Sequence, residues 1–284
     1  MAFRIIGHRG MGATHHLDKT IAPWPENTLL AFRQAILSGA DGVEFDVHRT
    51  KDDMIVVIHN NARIENTPEI ESLTLAELQR VDLGHGQTVP TLADAIALLA
   101  ELNTDYKKRT GQDLIINIEL KGKGVAAGTH AVVQKAVAQN LIAKQAFVLC
   151  AIDWDELRAL RQLDRDLQLA PTIITTKIYA MQDIVVPGYN IAPDAIPDPE
   201  KLAALKSLHQ EIDFYAFDMI LQDITPKFLE FAQTLGVGLI PFIVPQRHGG
   251  NNLSAMLNKA KSFADACPFV FFLADDIFTA TKYF

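Results

Sequence analysis

The stretch Leu114-Ile115-Ile116-Asn117-Ile118-Glu119-Leu120-Lys121 begins as an apolar run and ends with polar groups at alternate positions. Side chains two apart on a strand share a face, so Asn117, Glu119 and Lys121 point one way and Ile118 and Leu120 the other. A strand with apolar residues on both sides is covered on both sides, which is the habit of a parallel sheet. Runs of the same kind recur on either side of it. They are Arg4–Gly7, Gly42–Val47, Met54–His59, Ala146–Ile152, Leu167–Ile174, Phe214–Asp218, Gly238–Val244 and Phe269–Leu273. Amphipathic segments separate most of them. Thr91-Leu92-Ala93-Asp94 opens a helix as a capping box, and Leu92, Ala95, Ile96 and Leu99 repeat on one face. Thr225-Pro226 starts another, which ends at Gly236.

Alternation of strands and helices along a whole chain means a parallel sheet, doubly wound or closed as a TIM-type (β/α)8 barrel. Nine candidate strands stand where a barrel needs eight, so one lies outside the barrel or is not a strand. No Pro/Gly/Ser linker divides the chain, and the expectation is one domain over 1–284. Met11–Pro25 and Asn60–Pro90 are long for connections. Leu75, Leu78 and Val81 are spaced for one face of a small helical insert, Leu73–Val81, within about 60–90.

Of 284 residues, 49% are hydrophobic and 21% charged, the composition of a globular chain with a large core. A net charge of −8 and a pI near 5.6 argue against a nucleic-acid surface. A small phosphorylated ligand needs only one or two local cations. Cys150 and Cys267 are too few for a disulfide framework and sit in apolar settings, as inert buried thiols do. The opening residues lack the run of about 7–15 apolar residues of an export signal, and no stretch approaches the ~18 of a membrane span. A cytoplasmic protein without stable membrane insertion is expected.

Polar residues gather at the ends of the first four strands: His8 and Arg9, Glu44 and Asp46, His59, then Asn117, Glu119 and Lys121. Barrels and open α/β sheets both build sites at strand C-termini. Taken singly, Glu44, Asp46 and Glu119 read equally well as structural ion-pair partners of Arg9 and Lys121. Together, three carboxylates repel one another unless a cation sits between them. All-oxygen ligation points to Mg²⁺ or Ca²⁺. His8 and His59 beside such a cluster look like a general acid and a general base. Three carboxylates, one divalent ion, Arg9 and Lys121 leave the pocket one positive charge in surplus, which a phosphodiester would neutralise. A substrate carboxylate would balance it equally well.

His8-Arg9-Gly10, Pro25-Glu26-Asn27-Thr28, Gly42–Val47, Lys51-Asp52-Asp53 through His59, and Asn117–Lys121 resemble the glycerophosphodiester phosphodiesterases. The resemblance implies a TIM-type barrel that hydrolyses glycerophosphodiesters to glycerol 3-phosphate and an alcohol with a divalent cation. It implies Glu44, Asp46 and Glu119 as metal ligands, His8 and His59 as the acid–base pair, and Arg9, Lys121 and Glu26 on the substrate side. Two departures stand out. Asn60 follows His59 where the family usually has Asp, and Ile240-Pro241-Phe242-Ile243-Val244 replaces an aromatic-rich V-W-T-V-N strand. The altered strand, with the long first loop that holds His15, His16, Asp18 and Trp24, keeps phospholipid, lysophospholipid or sugar phosphodiesters as alternative substrates. A catalytically inactive phosphodiester-binding barrel is the other alternative. It would be expected to have lost at least one of His8, Arg9, Glu44, Asp46, His59, Glu119 and Lys121, and all seven are present.

Overall fold

The computed structural model describes residues 2–12, 23–59, 69–173, 199–243 and 253–282. Nine strands form its sheet: β1 (Ala2–Gly7), β2 (Gly42–Arg49), β3 (Ile55–Val57), β4 (Ile115–Leu120), β5 (Phe147–Ala151), β6 (Gln168–Ile173), β7 (Ala216–Ile220), β8 (Gly238–Phe242) and β9 (Phe269–Ala274). The order β1-β9-β8-β7-β6-β5-β4-β2 closes through a parallel β1–β2 pairing, giving an eight-stranded barrel. The surplus ninth strand is β3. It pairs antiparallel with β2, Val47 opposite Val57, and lies outside the barrel. The described helices are α1 (Leu29–Leu37), α2 (Leu75–Leu78), α3 (Leu92–Thr110), α4 (Ala126–Ala138), α5 (Trp154–Leu163), α6 (Pro199–Ile212), α7 (Pro226–Leu235), α8 (Leu253–Ser262) and α9 (Ile277–Lys282).

Strand alternation divides the core in two. Ile6, Ile115, Val148, Cys150, Ala170, Ala216, Ile240, Phe271 and Leu273 fill the barrel interior. Phe45, Ile116, Ile118 and Leu120 join the layer between strands and helices. Because Ile115 points inward, so do Asn117 and Glu119, as the alternation requires. Gly42 permits the closure: a Cβ there would lie 2.0 Å from the carbonyl oxygen of Ile115. The insert has its own small core, in which Leu78 and Ile70 pack with Val56 and Ile58 and Leu75 and Val81 lie against it. Its helix is only one turn long, started by a Thr74–Glu77 capping box and preceded by a 3₁₀ turn, Ile70–Ser72.

The helix starts follow the signals in the sequence. Thr91 and Asp94 complete the box on α3, and Thr225 caps α7, which ends at a left-handed Gly236. No side chain of its own caps α4. Glu156, from α5, accepts from the backbone N–H groups of Gly124 (2.6 Å), Val125 (2.9 Å) and Ala126 (2.8 Å) instead. That satisfies donors which would otherwise be left bare at the helix start. Both cysteines are free and buried, and burial pushes both thiols up. Among the described residues no helix is long and apolar enough to cross a membrane. His15, His16, Asp18, Asn60 and Val244 lie outside the described residues.

Candidate active site

The site is built on β1, β2 and β4, with His59 arriving from the β2–β3 hairpin. The sequence places His59 at the end of a barrel strand. Instead the chain doubles back along β2, the N–H of Ile58 donates to the carbonyl of Asp46 (3.0 Å), and His59 follows. It reaches the same place by a different route. Asp46 and Glu119 are register partners across β2 and β4, as are Glu44 and Asn117, so the three carboxylates are brought together by strand pairing. One oxygen from each of Glu44, Asp46 and Glu119 lies within 4.8 Å of the others.

Cations crowd the same space. Lys121 Nζ lies 2.6 Å from Glu119 Oε1 and 3.3 Å from Asp46 Oδ1. Arg9 Nη1 donates to Glu26 Oε1 (3.0 Å), and Arg9 Nε lies 3.4 Å from Asp46 Oδ2. Glu26 therefore faces the guanidinium of Arg9. Its negative charge removes the surplus that the sequence count left in the pocket. The backbone N–H of Arg9 donates to Glu44 Oε2 (3.0 Å). To do so Arg9 takes a left-handed φ of 48°, which costs on the order of 1–2 kcal/mol for an L-residue. Gly10 follows at φ 90°, where a Cβ would come within 2.8 Å of the Ala31 side chain, so the turn requires glycine.

Three residues join the site that the sequence reading left out of it, and Asn27, quoted there without a role, is the first. It is buried, donates through Nδ2 to Asp46 Oδ2 (2.9 Å) and accepts from the Asp46 N–H (3.3 Å). Asp275 is the second. Its Oδ1 lies 2.7 Å from His8 Nδ1, leaving His8 Nε2 toward Glu44 Oε2 at 3.9 Å. The clue was available: Asp275 follows the last strand, in the position that the other site residues take on theirs. Asp218 is the third, a buried carboxyl on β7 that accepts from Thr172 Oγ1 (2.7 Å).

The titrations record the crowding. Burial, Asp46 and Glu119 push the Glu44 carboxyl up to about 8. Burial works against the charge on Asp46, but His59, Lys121, Arg9 and the Asn27 amide hold it well below the ordinary range. Burial also opposes a charged His8, yet Asp275 and Glu44 outweigh it and raise this histidine to about 9. His59 goes the other way: burial, then Arg9, lower it well below its ordinary value. Burial, then Glu119, push Asp218 up to about 7. Three oxygen donors, one of them held from ionising by its neighbours, are the donor chemistry that hard divalent cations take.

The model of the glycerophosphoryl diester phosphodiesterase family matches residues 8–243. The chain belongs to this family. Among relatives of the glycerophosphoryl diester phosphodiesterase family, the glycerophosphodiester phosphodiesterase of Bacillus altitudinis is 38% identical over 122 residues, 42% of this chain and 45% of that protein. The one from Caldanaerobacter subterraneus subsp. tengcongensis is 34% identical over 128 residues, 41% and 44% of the two chains. The chain thus spans about half the length of the curated relatives it matches. An Oleispira antarctica phosphodiesterase, solved with the product sn-glycerol-3-phosphate, shares the fold with a TM-score of 0.68 at 19% identity, covering 99% of this chain and 96% of that one. The glycerophosphodiester phosphodiesterase of Thermotoga maritima gives 0.61 at 19%, over 99% and 98%.

Proposed function

We propose that this chain, acting as one barrel domain, is a metal-dependent phosphodiesterase that hydrolyses glycerophosphodiesters to glycerol 3-phosphate and an alcohol. The observation that carries the reading is the convergence of Glu44, Asp46 and Glu119 within 4.8 Å, beside two histidines, the buried Arg9 and the half-buried Lys121. These three carboxylates would hold Mg²⁺ or Ca²⁺, which supplies Lewis-acid stabilisation of phosphate charge when bound. Asn27 fixes the Asp46 carboxylate, and the Arg9 N–H fixes Glu44. Arg9, anchored by Glu26, and Lys121 present positive charge where it grows on the phosphate oxygens.

The opposed titrations support one division of labour between the histidines. His59, held neutral, is the base that takes a proton from the attacking hydroxyl. His8, held charged by Asp275, is the acid that gives one to the departing alkoxide. The attacking hydroxyl is the one on the glycerol beside the phosphate. Its attack on phosphorus forms one P–O bond as the alcohol's P–O bond breaks. The resulting cyclic phosphate opens with water to glycerol 3-phosphate, and intramolecular attack gains effective molarities of about 10⁵–10⁸ M.

A substrate panel tests the reading. Glycerophosphodiesters with different alcohols should be cleaved in the presence of metal, and an analogue lacking the hydroxyl nearest the phosphate should be inert. Cleavage of that analogue at the normal rate would replace the cyclic route by direct attack of water. Activity confined to lysophospholipids or sugar diesters would overturn the substrate assignment.

A further inference from the structure

The helical insert between β3 and α3 carries Glu71, which the proposed chemistry does not use. Glu71 Oε1 lies 2.8 Å from Nδ1 of His48. His48 is on β2, on the same strand face as Glu44 and Asp46. Its other ring nitrogen, Nε2, lies 3.0 Å from the backbone carbonyl oxygen of His59. A carbonyl only accepts, so Nε2 carries the hydrogen and donates it. The imidazole side chain is 12% exposed and the Glu71 side chain 36%, so the connection runs from the surface of the insert to the edge of the site. Gly122, just past β4, makes room for it at φ 78°: a Cβ there would lie 2.7 Å from Glu71 Oε1.

We propose that Glu71 and His48 form a relay that positions His59, so that the insert sets the pose of one member of the acid–base pair. The inference rests on the reading of His59 as that base. Its physical basis is what the backbone otherwise lacks. β3 ends at Val57, two residues before His59, and the last sheet-type contact is Ile58 N–H to the Asp46 carbonyl. The Nδ1 atom of His59 is buried and has no hydrogen-bond partner among the described residues. The ring therefore gains no direction from Nδ1, and the fixed carbonyl holds the main chain from which it projects. His48 and Glu71 are positioning residues, touching neither phosphate nor metal. A small error in the placement of a proton-transfer group is costly, on the order of a hundredfold for about 1 Å.

The test is a double-mutant cycle on the full chain with divalent metal present. Wild type, His48→Phe, His59→Ala and the double variant are assayed with glycerophosphoethanolamine, kcat and KM being measured separately. His48→Phe is expected to lower kcat about tenfold to a hundredfold with KM little changed. It should leave the residual rate of His59→Ala where it was, because no ring remains to be misplaced. His48→Gln, whose amide can still donate to the carbonyl, should recover most of the rate. The rise in Tm on adding metal should persist in His48→Phe, showing that neighbouring Asp46 is undisturbed. Should His48→Phe fail to fold, Glu71→Ala on the exposed end of the relay is read the same way. The relay is overturned if His48→Phe keeps the wild-type kcat, or if it costs the same factor with and without His59. A fully active His59→Ala would instead remove the acid–base reading and the relay with it. An inactive His59→Ala beside an unaffected His48→Phe removes the relay alone.

Discussion

Glu44→Gln should lower metal-dependent turnover by about a hundredfold or more, since even the outer partners of metal ligands are worth 10–100-fold. The same change should leave the metal-free fold as stable as wild type or more so. Burial and the charges of Asp46 and Glu119 push the Glu44 carboxyl up to about 8. A carboxyl raised in the folded state favours folding while protonated, and that contribution is lost as pH rises from its unfolded value toward 8. At pH 8.5 the ionised group is a burden that Gln does not carry. Each kcal/mol relieved should raise the apo Tm by about 2–4 °C. Glu119→Gln should also lose activity but gain no such stability, because it takes away the partner 2.6 Å from Lys121. Thermal scans with chelator and with metal separate the two. Wild-type-like stabilisation of Glu44→Gln by metal would remove Glu44 from the ligand set.

His8→Ala and His59→Ala should each cost about 10²–10⁴ in turnover. The pH–rate profile should be bell-shaped, with one limb from each histidine. Asp275 and Glu44 raise His8 to about 9, so the alkaline limb reports loss of the proton from His8. Asp275→Asn removes a negative charge that favours the protonated ring, so this limb should move to lower pH. The acid limb reports His59, whose affinity for a proton is lowered by burial and by Arg9. A profile of Asp275→Asn with its alkaline limb unmoved would break the link between Asp275 and the acid.

Local pattern carried the sequence reading a long way, and distance along the chain limited it. Strand periodicity fixes that Glu44 and Asp46 share a face, and that Asn117, Glu119 and Lys121 share one, because alternation is a property of neighbours; the register of β2 on β4 is what joins the two sets. The barrel closure rests on the pairing of Ile6 with Gly42, which no local signal specifies. The same limit hid the partner of His8, since Asp275 lies at the far end of the chain and meets it only when the barrel closes. β3 was misplaced for another reason. An apolar run of strand length looks alike whether it enters a barrel or folds back as a hairpin, and Thr50–Met54 gave no turn strong enough to decide. Glu26, which the resemblance places on the substrate side, has its carboxylate on the guanidinium of Arg9, a contact across the first loop that no local pattern announces.

On the proposed reading, the three converging carboxylates hold a divalent cation on which phosphodiester cleavage depends. Phosphorus NMR of the full chain with glycerophosphoethanolamine tests it most directly, following glycerol 3-phosphate before and after chelation and again after Mg²⁺ or Ca²⁺ is restored. Glycerol 3-phosphate is expected from the loaded protein, none above background after chelation, and recovery on re-addition in wild type but not in Glu44→Gln. Undiminished release of glycerol 3-phosphate from the chelated protein would contradict that reading.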